Sequence, residues 1–341
     1  MEAETAVTKL QIADQDYIRC LTARNIELLY KQYNNNENHN TQKAHAEMRM
    51  INIKTQLSSN NAIVLKADKG KTVVICYTND YYTKAQEFIL NNQFSTKDND
   101  PTNIFQKEIR SVVNNCATVI HKEEKWKYIN LNLSAPSMKG LPKIHKINAP
   151  VRPIANWQNA PTYKLAKLIS KLLQLYIPLP NVFNVKNSIQ LMKDLEDIPI
   201  HKNTRLASFD IANMYSNVPT DELTNIKFMS SQQNLNDKLT EELITLTHTI
   251  INQNYFEFHN KFYVQNTGLA MGAPTSSVLS EIYLQFMEHN KLHTILLQNN
   301  ILGYFRYVDD IMIVYNGSNT DIDKLLVHFN PLNTELNPIC Q

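Results

Sequence analysis

The chain has 341 residues, 43% of them apolar and 19% charged, with a formal net charge of +2; that length fits more than one packed subdomain at about 150 residues each, and the apolar share excludes wholesale disorder. No stretch approaches the ~20 consecutive apolar residues that span a bilayer, and the N-terminus, with Glu2, Glu4 and Asp14, lacks the basic-then-apolar order of a secretory signal. Cys20, Cys76, Cys116 and Cys340 lie far apart with no C-x-x-C spacing, which argues against a zinc site or disulfide scaffold, so an intracellular setting, nuclear or cytoplasmic, is expected, with no membrane partner.

In chain order, residues 6–33 and Thr41–Leu57 read as helices, separated by the polar run Asn34–Asn40 as a connector. Ala62–Leu65 and Thr72–Tyr77 are short β-branched runs around Lys66-Ala67-Asp68-Lys69-Gly70-Lys71, which predicts a hairpin. Tyr82–Asn91 and Asn103–Ile120 read as helices. Leu141–Ile144 and Val151–Ala155 form a second hairpin candidate, and Pro161 opens a helix to Tyr176. Pro178 and Pro180 mark a subdomain joint near residues 177–203. Arg205–Ile211 is a predicted strand followed by a turn ending at Pro219, Leu239–Asn252 a helix, and Tyr255–Val264 two strands about a His259-Asn260 turn. Val278, Leu279, Ile282, Phe286 and Met287 recur at helical spacing after Pro274. Tyr304–Tyr315 is a polar pair between two β-prone arms, best read as a hairpin. The predicted class is α+β, with an antiparallel sheet in the C-terminal half. Three regions are expected: an N-terminal helical extension over 1–60, a basic region over 61–203, and residues 204–341.

Charge is unevenly spread. Lys125 to Lys193 carries eleven basic side chains and no Asp or Glu. Such a segment on an otherwise acidic chain is the footprint of a polyanion-binding surface, or, more plainly, a solvated basic face. The six glycines (Gly70, Gly140, Gly268, Gly272, Gly303, Gly317) lie in or beside the segments singled out here. That points to positive φ or close backbone approach.

Asp309 and Asp310 are adjacent carboxylates between apolar arms, where they repel one another and resist burial. A solvated turn would account for a lone acidic pair. Asp210, however, ends an apolar strand in the same manner, in Ala207-Ser208-Phe209-Asp210-Ile211. Three carboxylates converging from two strands would make a hard oxygen site for Mg²⁺. Two such ions about 3.5–4 Å apart can hold the attacking and leaving oxygens of a phosphoryl displacement.

These residues resemble a known family. Tyr307-Val308-Asp309-Asp310, with Phe209-Asp210-Ile211 and Gly268-Leu269-Ala270-Met271-Gly272-Ala273-Pro274, is similar to the palm of reverse transcriptases. Lys66–Gly70, Leu141-Pro142-Lys143-Ile144-His145-Lys146, Arg152-Pro153-Ile154 and Asp210–Pro219 resemble, more narrowly, Penelope-like retroelement reverse transcriptases, over roughly residues 60–341. The resemblance implies a right-hand polymerase fold, with residues 61–203 as fingers and 204–341 as palm. It implies an RNA-directed DNA polymerase working on an RNA template, a DNA primer and dNTPs, with two Mg²⁺ (or Mn²⁺). Asp210 and Asp309, with the backbone of Ile211, would be the principal metal ligands, and Asp310 a supporting carboxylate. Lys143 and Arg152 would contact the incoming triphosphate, as suits a mobile point charge and a planar fork; an ordinary exposed lysine is the other reading of Lys143. Tyr215 would sit under the sugar and exclude a ribose 2′-OH, where RNA-dependent RNA polymerases have an acid; a core tyrosine is the alternative. Met271 and Gly272 would lie against the nucleotide or templating base, with Met271 standing where many relatives have Gln.

The tail departs from the family pattern. Only 31 residues follow Asp310, and Lys324 is the last basic residue. His328–Asn333 looks like the start of a further palm segment, and the thumb and the endonuclease domain of the GIY-YIG type found in relatives are expected to be absent from this chain. Two other functions stay open: a catalytically inactive remnant that binds nucleic acid through its basic surface, and an RNA-dependent RNA polymerase, which Tyr215 disfavours. For Asp68-Lys69-Gly70 the sequence offers no mechanical role beyond a turn.

Overall fold

The computed structural model describes residues 24–25, 27–28, 37–92, 94–177, 179–220, 235–329 and 334–337. The helix expected over 6–33 and the connector residues 34–36 lie almost wholly outside them. The chain divides into two compact units: Met1–Leu65 with Val73–Tyr82, and Lys66–Thr72 with Thr83–Gln341. In the first, helix α1 (Glu37–Ser59) precedes strands β1 (Ala62–Lys66) and β2 (Val73–Tyr77), which pair as a two-stranded sheet. Glu37–Asn40, expected as connector, belongs to α1. The weak helix propensity of Asn and His costs at most ~0.7 kcal/mol per residue, and an adjoining helix overrides that. Helix α2 (Thr78–Asn91) follows.

The second unit is built around two sheets. The order β3–β8–β7–β4–β5 joins β3 (Ser95–Lys97), β8 (Lys261–Val264), β7 (Tyr255–Phe258), β4 (Ser137–Pro142) and β5 (Val151–Asn156). The β7–β8 turn has His259 and Asn260 both at positive φ, the two-residue pattern that suits the right-handed twist of a hairpin. The other sheet is antiparallel, in the order β11–β6–β10–β9: β11 (Thr334–Asn337), β6 (Thr204–Ile211), β10 (Asp310–Asn316) and β9 (Ile301–Tyr307). Both predicted hairpins of this unit form, β4–β5 and β9–β10.

The larger core lies among helices α3 (Thr102–Asn115), α4 (Tyr163–Tyr176), α7 (Asp237–Asn252) and α8 (Ser276–Met287). On α4 the buried set Leu165, Ala166, Ile169 and Leu173 marks one helical face, and Leu243, Leu246 and Ile250 do so on α7. Expected to reach Ile120, α3 ends at Asn115. There the Glu242 carboxylate on α7 accepts the Thr118 and Val119 N–H groups, both at 2.8 Å, and holds the chain in a turn. A second core backs the antiparallel sheet through Phe209, Ile211, Leu284, Tyr304, Ile311 and Ile313. The larger core and the five-stranded sheet both draw on residues on either side of 203/204, so packing does not divide there. The stretch expected as a joint holds helix α5 (Ser188–Glu196), capped by the Asn187 side chain accepting from the Gln190 N–H. Cys76 and Cys116 are free thiols. Among the described residues no helix is long and apolar enough to cross a membrane.

Candidate active site

Register builds the acidic corner. Antiparallel pairing sets Asp310 of β10 directly opposite Asp210 of β6, so acids 99 and 100 residues apart in sequence meet at one end of the sheet. Tyr307 pairs with Asp310 and closes a two-residue turn, Val308-Asp309. The Ile211 N–H donates to the Asp309 carbonyl at 3.0 Å, tying the turn to the end of β6. Val308 has φ +58°, while Asp309 stays out of the left-handed region. A positive φ at the first turn residue alone is the arrangement ordinarily reserved for glycine. For a β-branched residue it is a strained conformation, costing about 1–3 kcal/mol. The turn that carries Asp309 is therefore held in place by its surroundings.

Burial, then the adjacent Asp309, pushes the Asp310 carboxyl above its ordinary range, and the Lys69 charge opposes both. Among the described residues no group of three or more His, Cys, Asp or Glu side chains is gathered tightly enough to hold a metal ion. In donor chemistry the corner fits a divalent cation: hard carboxylate oxygens from adjacent strands suit Mg²⁺ or Mn²⁺. The backbone of Glu335 on β11 lies in register with Asp210 on its other side.

The basic residues stand on the β4–β5 hairpin. Arg152 pairs with Leu141, and the Lys143 N–H extends the ladder to the Pro150 carbonyl at 2.8 Å. Burial, then the charges of Arg152 and Lys146, lowers the Lys143 pKa, while Asp68 and Asp210 act against them. Lys143 is half-buried, unlike an ordinary surface lysine. Arg152 is 45% exposed and lies 3.4 Å from the Asp68 carboxylate.

Tyr215 occupies the one-turn helix α6 (Met214–Asn217) just beyond β6, half-buried and packed against both cores. Burial raises its pKa, helped by Asp309 and opposed by Arg152. Its carbonyl accepts the Leu269 N–H at 2.6 Å. This contact is possible because residue 268 is glycine: at φ +79°, a Cβ there would run into the Ser216 carbonyl. Gly272, at φ +102°, makes a similar close approach, but to the protein itself: a Cβ would lie 2.6 Å from the Ala155 carbonyl of β5. The Met271 carbonyl accepts the Ala155 N–H at 3.3 Å, so this loop is docked on the strand that carries Arg152.

One residue absent from the sequence reading underpins the corner. Arg306 on β9 has a fully buried side chain. Its guanidinium uses all five N–H donors: Nε and one on Nη2 to Glu288 (2.6 and 3.1 Å), one each on Nη1 and Nη2 to Glu281 (3.0 and 2.7 Å), and one on Nη1 to the Val308 carbonyl (3.1 Å). Burial alone would favour its neutral form, but the hydrogen bonds to both glutamates outweigh this and raise its pKa. Burial also pushes both carboxyls up: it prevails at Glu288, while the Arg306 hydrogen bonds prevail at Glu281 and lower it. Arg306 thereby anchors the strained residue beside Asp309. The signal in the sequence was a lone Arg within an apolar strand, with two glutamates one heptad apart along α8 and its continuation.

The reverse transcriptase (RNA-dependent DNA polymerase) profile matches residues 144–337, more than half of the chain, and stops short of Lys143 and the Lys66–Gly70 segment. No curated protein sequence matches. Among solved structures, the chain is similar to telomerase from Candida albicans in complex with a fragment of telomeric RNA (TM-score 0.51, 14% identity, 84% of this chain and 51% of that one). It is also similar to telomerase from Candida tropicalis, likewise with a telomeric RNA fragment (TM-score 0.55, 10% identity, 80% and 46%). At these identities the likeness shows the fold, which is that of right-hand polymerases. The chain spans about half the length of the telomerase chains it matches.

Proposed function

This chain belongs to the reverse transcriptase (RNA-dependent DNA polymerase) family of nucleotidyltransferases, and from that premise we propose that it extends a DNA primer on an RNA template, as the reverse transcriptase domain of a Penelope-like retroelement acting inside the cell. The observation that carries the reading is the register of Asp310 opposite Asp210, with Asp309 tied to Ile211. The Penelope-like assignment is supported by the ordered blocks Lys66–Gly70, Leu141–Lys146, Arg152–Ile154 and Asp210–Pro219.

Asp210, Asp309 and the Ile211 carbonyl would hold divalent cations, with Asp310 in support. Such ions, when bound, favour ionisation of a primer 3′-OH and balance charge on the phosphate it attacks. Lys143 and Arg152 bind the triphosphate of the dNTP, the first as a point charge and the second as a fork. The β6–β10 pairing fixes the backbone positions of Asp210 and Asp310, and in-line attack tolerates misplacement of only ~1 Å. Tyr215 presents a flat ring where a 2′-OH would project and so selects deoxynucleotides. The Met271-Gly272 loop, docked on β5, faces the templating base.

The test is extension of a DNA primer on an RNA template with dNTPs and Mg²⁺. Asp309→Asn should cut the rate by roughly 10²–10³-fold, as expected when several kcal/mol of charge stabilisation is lost. If wild type and Asp309→Asn are equally silent while both bind an RNA–DNA duplex, the chain is an inactive nucleic-acid-binding remnant. Tyr215→Ala should admit ribonucleotides; unchanged sugar selectivity would remove Tyr215 from that role.

A further inference from the structure

The Lys66–Gly70 segment, which sequence alone left as a turn, lies against the basic hairpin. Its loop is closed by the Ala67 N–H on the Thr72 carbonyl at 3.0 Å and turns through Gly70 at φ +76°. The Asp68 N–H donates to the Pro142 carbonyl at 3.0 Å, at the end of β4. The Asp68 side chain, 3% exposed, reaches the other strand of the hairpin, with Oδ1 3.4 Å from Nη1 of Arg152. One residue thus grips β4 through its backbone and β5 through its carboxylate. The second oxygen, Oδ2, is buried with no hydrogen-bond partner. A half-satisfied buried carboxylate is costly, so stability alone is a poor reason for placing one there. Arg152 keeps 45% of its side chain exposed, and Asp68 meets only its Nη1; both Arg152 and Lys143 belong to the β4–β5 hairpin.

We propose that Asp68 is a positioning residue for the phosphate grip: its buried carboxylate holds the inner edge of the Arg152 guanidinium so that the outer edge meets the phosphates of a nucleoside triphosphate. This rests on the reading above that Arg152 binds the triphosphate, and it gives the Asp68-Lys69-Gly70 motif a mechanical role. Rigidity is the gain. A free arginine must give up its rotamer freedom when it binds, whereas one already held by Asp68 has lost much of it beforehand. The loose 3.4 Å contact and the free Oδ2 leave room for Arg152 to close onto Asp68 as a bidentate pair when phosphate arrives.

The sign of one substitution decides between positioning and simple charge. Asp68→Asn removes a negative charge near an anion site, so electrostatics alone would tighten anion binding; loss of positioning weakens it. The measurement is the dissociation constant of inorganic tripolyphosphate for the full chain by calorimetry, with Asp68→Asn, Arg152→Ala and the double variant. The expected result is about tenfold weaker binding for Asp68→Asn, the scale of one charge-assisted hydrogen bond. The double variant should bind no more weakly than Arg152→Ala, and in primer extension Asp68→Asn should raise the KM for dNTP far more than it lowers kcat. Tighter or unchanged binding by Asp68→Asn, or additive effects in the double variant, would overturn the proposal. Should Asp68→Asn fail to fold, Arg152→Lys carries the test: it keeps the charge but lacks the fork, so unchanged tripolyphosphate affinity overturns the role. A wild-type chain that shows this coupling but extends no primer would remove the polymerase reading and leave Asp68 in place. Extension without coupling would do the reverse.

Discussion

Arg306 and Arg152 each face a buried carboxylate, and their surroundings could hardly differ more. Arg306 is sealed, with five donors on five acceptors at 2.6–3.1 Å. Arg152 is 45% exposed and meets a single oxygen at 3.4 Å. The first has no donor left to offer a ligand, and its geometry is fixed by packing, so its work is to hold the Val308-Asp309 turn. The second has donors to spare, and its partner retains an unused oxygen. A fully satisfied arginine makes a foundation; a partly satisfied one makes a contact that a ligand can complete.

The contrast can be broken most forcefully at Arg306. Arg306→Met leaves Glu281 and Glu288 buried without their cation and should cost about 3–5 kcal/mol in urea unfolding. Adding Glu281→Gln and Glu288→Gln should recover part of that loss, and Arg306→Lys should not, since three donors cannot replace five. A loss below about 1 kcal/mol for Arg306→Met would show that the sealed network is ornamental. Arg152→Ala should cost only about 1–2 kcal/mol, because water can reach the half-exposed site and replace the guanidinium. Val308→Gly relieves the positive φ and should raise stability by about 1 kcal/mol, net of the entropy glycine adds to the unfolded chain. The smallest effect concerns acid. Glu281, lowered by Arg306, contributes stability that is full above the ordinary carboxylate range and is lost as pH falls through its folded pKa. Glu288, raised by burial, acts in the opposite sense. Glu281→Gln should therefore flatten the acid limb of a stability–pH curve, and Glu288→Gln should not.

The hairpins and the helical faces were legible because period two and period 3.6 are local properties. Tyr304–Tyr315, Tyr255–Val264 and the helix that buries Val278, Leu279, Ile282 and Met287 form as the sequence suggests. The acids were legible because charge between apolar arms is conspicuous. Arg306 was not: in a strand, a lone charged residue reads as solvent-facing, and its two partners lie on a helix whose position only the tertiary structure sets. Asp68 was hidden for the same reason, since its two partners belong to a hairpin about 75 residues further on. The end of α3 was misjudged because Glu242, far along the chain, captures the backbone after Asn115.

Gly268 acts on this corner at one remove. Because the loop it opens lies flush against the backbone of Tyr215 and Ser216, one added methyl group would push that backbone away. Under the proposed role of Tyr215, Gly268→Ala would then erode discrimination between ribose and deoxyribose while every residue assigned to the sugar stays unaltered.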